Sequence, residues 1–251
     1  MEPKEQMRRE RCCVIVPTYN NGHTIIDVLR RIEPFAHDII VVNDGSTDDT
    51  MQLLGEAPVE GLSVVSYEHN RGKGHALMKG FERALQQGFD YAITIDSDGQ
   101  HYPEDIPLLL AAHGEQREAL VVGCRNLTEE NMPRQNTFAN RFSNFWFRLQ
   151  TGVKLGDTQS GYRLYPLRRL SMRWWITPRY EAELELLVYS AWHGTPIAST
   201  PVRVYYPPEG ERVSHFQPFR DFARISVLNT CLCVGAVVYY LPLKLKRALF
   251  G

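Results

Sequence analysis

From residue 12 onward, short apolar runs alternate with longer amphipathic stretches, and this alternation limits what the chain can fold into more than any other feature. "CCVIVPTYN" reads as a strand closing at Pro17, and "HTIIDVLRRIEPF" as a helix with Ile25, Ile26, Leu29 and Ile32 on one face. "DIIVVNDGSTDDT" is a second strand that breaks at Asp44-Gly45, with Ser46 to Asp49 leading into another helix. "LSVVSYEHN" is a third strand, "GKGHALMKGFERALQQG" a helix and "YAITIDSDGQ" a fourth strand. Such alternation predicts right-handed crossovers and an α/β fold with a Rossmann-like, mostly parallel sheet flanked by helices. Ligands of such sheets sit beyond the carboxyl ends of the strands. Here four strands end in polar, loop-forming residues: 18–20, 43–46, 69–74 and 96–100.

Past residue 124 the rhythm changes. "NTFANRFSNFWFRLQTG" reads as an aromatic helix, "GDTQSGYRLYP" as a polar turn leading into a strand, "YEAELELLVYSAWHG" as a helix, and "IASTPVRVYYPPEG" as an edge strand. From Ile225 to Leu243 no charged residue occurs, and Arg220, Arg224, Lys244, Lys246 and Arg247 flank the run. A span needs about 20 mostly apolar residues. Asn229, Thr230 and Pro242 together with the cationic flanks favour a helix lying in the membrane interface over a span or a buried helix. The expected organisation is a flexible N-terminus over 1–10, one domain over 11–215 and an amphipathic or apolar helical tail over 216–251.

Composition narrows the function. A net charge of −1 gives no basic excess for bulk nucleic-acid binding. Cys12, Cys13, Cys124, Cys231 and Cys233 include no CxxC pair, and read as free thiols in a reducing cytoplasm. "MEPKEQMRRER" lacks the apolar core of a signal peptide, so the expected location is cytoplasmic, on the inner face of the cell membrane.

The loops carry the chemistry. Asp96 and Asp98, at a strand end, form a carboxylate pair suited to a hard divalent cation, with Gln100 adding a neutral oxygen. Mg2+ or Mn2+ held there would bridge a departing diphosphate. "NRGKGHA" places Lys73 between two glycines at a helix start, where the ammonium and backbone N–H groups meet phosphate or sugar oxygens. It is not a P-loop. Asp44 is an acceptor for a base edge or ribose hydroxyls.

"VIVPTYNNG", "IIVVNDGSTDDT", "NRGKGHALMKGF" and "IDSDGQHYPEDI", in that order and at those intervals, resemble the family 2 glycosyltransferases with the GT-A fold. "GDTQSGYRLYP" is similar to the Asp-x-x-Ser-Gly-Phe/Tyr-Arg segment of the dolichyl-phosphate mannose synthase and polyprenyl-phosphate branch, and "SHFQPFRDFARIS" to aryl-polyene-cluster glycosyltransferases. The resemblance implies an inverting hexosyltransferase that uses a nucleotide-diphospho-sugar, with uridine or guanosine as base, and a lipid or polyprenyl-phosphate-like acceptor. It implies that Pro17, Tyr19, Asn20 and Asp44 border the nucleoside and that Lys73 and Gly74 line the donor pocket. Asp96, Asp98 and Gln100 would hold the metal, and Arg125 and Arg141 contact diphosphate or acceptor phosphate. Asp157, Ser160 and Arg163 match the downstream segment. Asp157 is the first candidate for general base, followed by Glu183 or Glu185. Where that branch carries Arg-x-x-Gly-x-Ser-Lys, this chain reads "PPEGERVSHF": Ser214 matches, His215 replaces the lysine, and Arg212 and His215 are the remaining phosphate contacts. This leaves the acceptor open between a polyprenyl phosphate and another lipid or amphipathic hydroxyl compound. Two other classes compete. Nucleotidyltransferases usually open with a glycine-rich loop that "PTYNNGHT" lacks, and a non-catalytic nucleotide-sugar-binding partner of a glycan assembly complex would not need the acidic site.

Overall fold

A computed structural model describes residues 2–125, 134–170, 176–206 and 218–250. Strands β1 (Cys12–Thr18), β2 (Ile39–Asn43), β3 (Leu62–Ser66), β4 (Tyr91–Thr94), β5 (Leu120–Arg125), β6 (Arg163–Pro166) and β7 (Ile197–Val202) make one sheet in the order β3-β2-β1-β4-β6-β5-β7. The pairs β3-β2, β2-β1, β1-β4 and β5-β7 are parallel, whereas β6 runs antiparallel to both β4 and β5. The expected mostly parallel sheet is present, with β7 as its edge.

Helices α2 (Gly22–Ile32), α3 (Thr50–Glu56), α4 (Lys73–Gln86), α5 (Ile106–Glu115), α6 (Arg134–Thr151) and α7 (Ala182–Trp192) cover it. Successive residues of a strand point to opposite faces, and the core splits accordingly. Cys13 and Ile15 of β1 pack with Leu77 and Phe81 of α4 on one side. Cys12, Val14 and Val16 pack with Ile25 and Leu29 of α2 and Leu109 of α5 on the other. Burial on both faces explains why β1 reads as a continuous apolar run rather than an alternating one.

The N-terminal segment expected to be flexible is a helix, α1 (Pro3–Glu10). Its single large apolar side chain accounts for this: Met7 is 1% exposed in the α2 and α5 side of the core. Arg117 holds Glu10 at 3.2 Å. Charge density along the first eleven residues concealed one anchoring contact.

At the other end, α8 (Pro218–Gly235), a π turn (Ala236–Tyr240) and α9 (Leu241–Phe250) follow one another without a loop. Pro242 has no N–H to donate and its ring crowds the carbonyl one turn back, and the wider π turn immediately before it accommodates both. Within these elements the helix Ala223–Leu249 is long and apolar enough to cross a membrane, its most apolar 18 residues having a mean hydropathy of 1.7. Leu228, Leu232 and Ala236 pack into the α4 side of the core. Gln150 Nε2 donates to Asn229 Oδ1 at 3.0 Å, and Tyr240 donates its hydroxyl to the Thr151 carbonyl at 3.2 Å. Asn229, which weighed against a span in the sequence, is thus buried against the body.

Candidate active site

The carboxyl ends of β1, β2 and β4 open onto a cleft of about 870 Å³, lined further by the start of α4, by α6 and by residues 179–184 at the start of α7. Of the residues expected to form a site, the cleft gathers Pro17, Tyr19, Asp44, Lys73, Asp96, Asp98, Gln100, Arg125 and Glu183.

Loop-to-loop bonds set the shape of its mouth. Asp44 accepts from the backbone N–H of Arg71 and of Gly72, each at 2.8 Å, so a carboxylate at the end of β2 pins the loop after β3. Asn20, with φ of 52°, donates its N–H to Ser46 Oγ at 2.9 Å and accepts the Thr47 N–H at 2.8 Å. It therefore ties the first two loops together, beside Tyr19 and Asn21 of the lining, and is not itself among the lining residues. Ser97, between the two aspartates, donates to the Pro17 carbonyl at 3.0 Å and accepts from Asn21 Nδ2 at 2.9 Å, which fixes the turn that presents Asp96 and Asp98.

On the cleft floor Lys73 Nζ lies 2.7 Å from Asp96 Oδ1 and 3.0 Å from Glu183 Oε2. Burial pushes the Asp96 carboxyl up, but the Lys73 ammonium beside it outweighs this and holds it below the usual carboxylate range. Burial opposes the charge on Lys73, yet Asp96 and Glu183 keep the ammonium protonated well above its ordinary range. His101, buried behind them against the Tyr162 ring, is pushed by burial down to about 4 and is neutral at pH 7.

Asp96, Asp98 and Gln100 offer only oxygen donors, the chemistry Mg2+ and Mn2+ prefer. Among the described residues no cluster of three or more His, Cys, Asp or Glu side chains surrounds a common point. The donor set therefore fits a cation that takes one or two carboxylates from protein and the rest of its shell from substrate phosphate and water.

Several expected site residues are structural. Asp157 is fully buried: Arg125 Nε and Nη2 reach it at 2.6 and 3.0 Å, the N–H groups of Arg125 and Gln159 at 3.2 and 3.1 Å, and Asn140 Nδ2 also donates to it. Burial raises its carboxyl, but Arg125 more than offsets this and holds it below the usual range. An occluded carboxylate with five donors is no base for an acceptor, which corrects its first-choice role. It is the pin that holds β5, α6 and the β6 approach together.

Arg163, also fully buried, donates to the carbonyls of Ser160, Glu183 and Thr158 at 2.7, 2.8 and 2.9 Å, so it clamps loop 157–161 to α7 instead of contacting substrate. Ser160 Oγ accepts the Tyr162 N–H at 3.3 Å within the same turn. Glu185 accepts from the N–H groups of Ile176 and Thr177, and is away from the cleft. Arg141 is exposed on α6, outside the lining. Gly74 packs beneath the wall instead of facing ligand: a Cβ there would stand 2.4 Å from Ala182 Cβ and 2.9 Å from the Arg179 carbonyl. Arg212, Ser214 and His215 lie outside the described residues.

The cleft also includes Ser143, Arg179, Tyr180 and Glu181, which no motif had marked, and Thr158 and Gln159, the two open positions of the Asp-x-x-Ser-Gly segment. Arg179 to Glu181 had a usable signal: an arginine, an aromatic and a carboxylate in succession directly before a helix.

The family model described as Glycosyl transferase family 2 matches residues 13–170. The chain is similar to the UDP-N-acetylglucosamine–dolichyl-phosphate N-acetylglucosaminyltransferase of Methanococcus voltae, 30% identical over 77% of this chain and 85% of the relative. It is also similar to the polyprenol monophosphomannose synthase of Mycolicibacterium smegmatis, 31% identical over 65% and 64%. Its fold matches that of glucosyl-3-phosphoglycerate synthase from Mycobacterium tuberculosis. The complex of that synthase with UDP gives a TM-score of 0.69 at 22% identity, covering 94% of this chain and 83% of that one. Its complex with Mn2+, UDP and glucosyl-3-phosphoglycerate gives 0.64 at 21% identity, with coverage of 94% and 82%.

Proposed function

We propose, from the premise that this chain belongs to glycosyl transferase family 2, that it moves a hexose from a nucleotide-diphospho-sugar to a polyprenyl-phosphate or similar lipid acceptor at a membrane surface. The chain is an enzyme and a transferase, and has the GT-A fold. The observation that carries the finer reading is the meeting, in one cleft at the carboxyl ends of β1, β2 and β4, of Asp44, Lys73, Asp96 and Asp98. The relatives named for dolichyl phosphate and polyprenol support the acceptor class, and the UDP and Mn2+ bound by the structural neighbour support the donor.

In this reading the nucleoside lies along Pro17, Tyr19 and the Asp44 loop, and the diphosphate points toward Asp96, Asp98 and Gln100. Those three residues would hold a divalent cation, which would supply charge neutralisation to the leaving diphosphate. Lys73, Arg125 and Arg179 are cations on the lining, and they would meet the same anionic region. An acceptor phosphate attacks the anomeric carbon through an oxygen that is already ionised, so no side chain has to remove a proton. That agrees with Asp157 and Glu185 serving structure. Glu183 is the one proposed base left on the cleft, and it would be needed only by a hydroxyl acceptor. The tail rests on the inner face of the membrane, where such an acceptor resides.

A thermal-shift screen with UDP-, GDP- and dTDP-sugars, each with Mn2+ and with EDTA, tests the donor site. Stabilisation by one nucleotide family, lost in EDTA, is expected. Asp98→Ala should remove both that stabilisation and turnover while unfolding at a similar temperature without ligand. Full activity in this variant would remove the metal assignment.

A further inference from the structure

The three charges on the cleft floor are arranged more tightly than phosphate contact alone would require. Lys73 Nζ is within 2.7 Å of Asp96 Oδ1 and 3.0 Å of Oδ2, so it engages both oxygens of the carboxylate, and Glu183 Oε2 is 3.0 Å away. Gly161 closes the space from below. A Cβ there would lie 2.7 Å from Lys73 Nζ, 2.8 Å from Asp96 Oδ2 and 3.0 Å from Glu183 Oε1, so any larger residue would push the three groups apart. The lysine backbone is equally fixed. Gly72 is bonded to Asp44, and the His75 N–H donates to the Pro178 carbonyl at 3.0 Å. An ammonium held against both oxygens of Asp96 takes up one lone pair on each and sets a positive charge beside the carboxylate, where a hard cation would have to approach.

We infer that Lys73 is an internal counter-ion which occupies the cation's place on Asp96 in the nucleotide-free enzyme and releases Asp96 when cation and diphosphate arrive together. This rests on the metal-dependent donor reading above. Glu183 makes the exchange feasible, because the ammonium keeps one carboxylate while it leaves the other, and the incoming diphosphate supplies new oxygens for its free N–H groups. Two consequences follow. Without nucleotide, a divalent cation must displace an ammonium and binds weakly. With nucleotide, the diphosphate draws the lysine aside, so cation and nucleotide raise each other's affinity. Lys73 is in this sense a positioning residue that sets the order of assembly.

The experiment measures Mn2+ binding to the full chain by electron paramagnetic resonance of the free ion, with UDP, with GDP and without nucleotide, alongside melting temperatures with and without Mn2+. Lys73→Gln should bind Mn2+ without nucleotide at least tenfold more tightly than the wild type, gain more melting temperature from Mn2+, and show less enhancement by nucleotide. Lys73→Arg, which keeps a cation there, should retain the weak binding. Glu183→Gln, which removes the second carboxylate charge, should also lose much of the enhancement, and it serves where Lys73→Gln is too unstable to purify. Mn2+ affinity in Lys73→Gln equal to or below that of the wild type overturns the inference, as does unchanged enhancement in Glu183→Gln. A merely structural ion pair would give those results, with melting temperature lowered equally with and without Mn2+. Absence of Mn2+ binding to wild type and variants alike, even with either nucleotide, overturns the metal reading and the inference together.

Discussion

Asp157 accepts five hydrogen bonds in full burial, and an amide in its place would leave Arg125 facing a neutral group. Breaking a buried pair costs about 3–5 kcal/mol, so Asp157→Asn should lower the urea midpoint by a corresponding amount before any effect on chemistry is considered. Its carboxyl is depressed, so its contribution is present above the ordinary carboxylate range and is lost as pH falls through its lower folded value. His101 acts in a different window. Its imidazole is down at about 4 in the fold, so folding excludes a proton that the unfolded chain binds below its ordinary pKa, and stability declines as pH falls from about 6.5 toward 4. His101→Phe, which keeps a ring against Tyr162, should flatten the melting temperature over that interval; an unchanged slope would assign it to other groups. Which carboxylates line the cleft was only half legible in the sequence. Asp96 and Asp98 stood out because they end a strand. Asp157 and Arg163 looked equally chemical, since several of the partners that occupy them, Arg125, Asn140 and the Glu183 carbonyl, are distant in sequence and meet them only in the fold.

Among the elements, the start of α4 and the start of α7 form one wall through an approach that only glycine allows. A Cβ on Gly74 would meet Ala182 Cβ at 2.4 Å and the Arg179 carbonyl at 2.9 Å. Gly74→Val should therefore push residues 178–182 away from α4, displacing Arg179, Tyr180 and Glu181 from the cleft. Such overpacking typically costs 1–3 kcal/mol, and here the larger effect should be on nucleotide-dependent stabilisation, measured by calorimetry beside wild type. Nucleotide affinity within twofold of wild type would remove this wall from the donor site. The elements themselves were largely readable, because strands with buried faces and helices with an apolar stripe differ in period. The reversal of β6 was not, since a four-residue strand carries no mark of direction. Its antiparallel seat between β4 and β5 brings Gly161 and the Asp157 turn to the floor of the cleft.

At the scale of the whole molecule, α8, the π turn and α9 present two faces. Leu228, Asn229, Leu232 and Ala236 are buried against the body, whereas Val227, Val234, Val238, Leu241, Leu245 and Leu249 are exposed, recurring at helical spacing along the other side. Phe145 and Leu149 of α6 add further exposed apolar surface. Cutting the chain after Arg224 would test membrane binding poorly, because it would also uncover Trp192 and the core beneath Leu232. Substituting the outer face alone separates the two effects. A four-site variant, Val234→Ser, Val238→Ser, Leu241→Ser and Leu245→Ser, removes only exposed side chains, so the melting temperature without lipid should stay within a few degrees of wild type. If this face enters the membrane interface, each lost side chain withdraws on the order of 1 kcal/mol of burial, and partitioning onto vesicles containing anionic lipid should fall at least a hundredfold. Lys244 and Lys246 lie near the end of the tail, whereas Arg247 turns to the body and donates to the Trp192 carbonyl at 3.2 Å; removing the two lysine charges should weaken binding to anionic vesicles more than to neutral ones. Equal vesicle recovery of the four-site variant and wild type would show that the apolar face is not what meets lipid, and the acceptor would then have to reach the cleft without the tail.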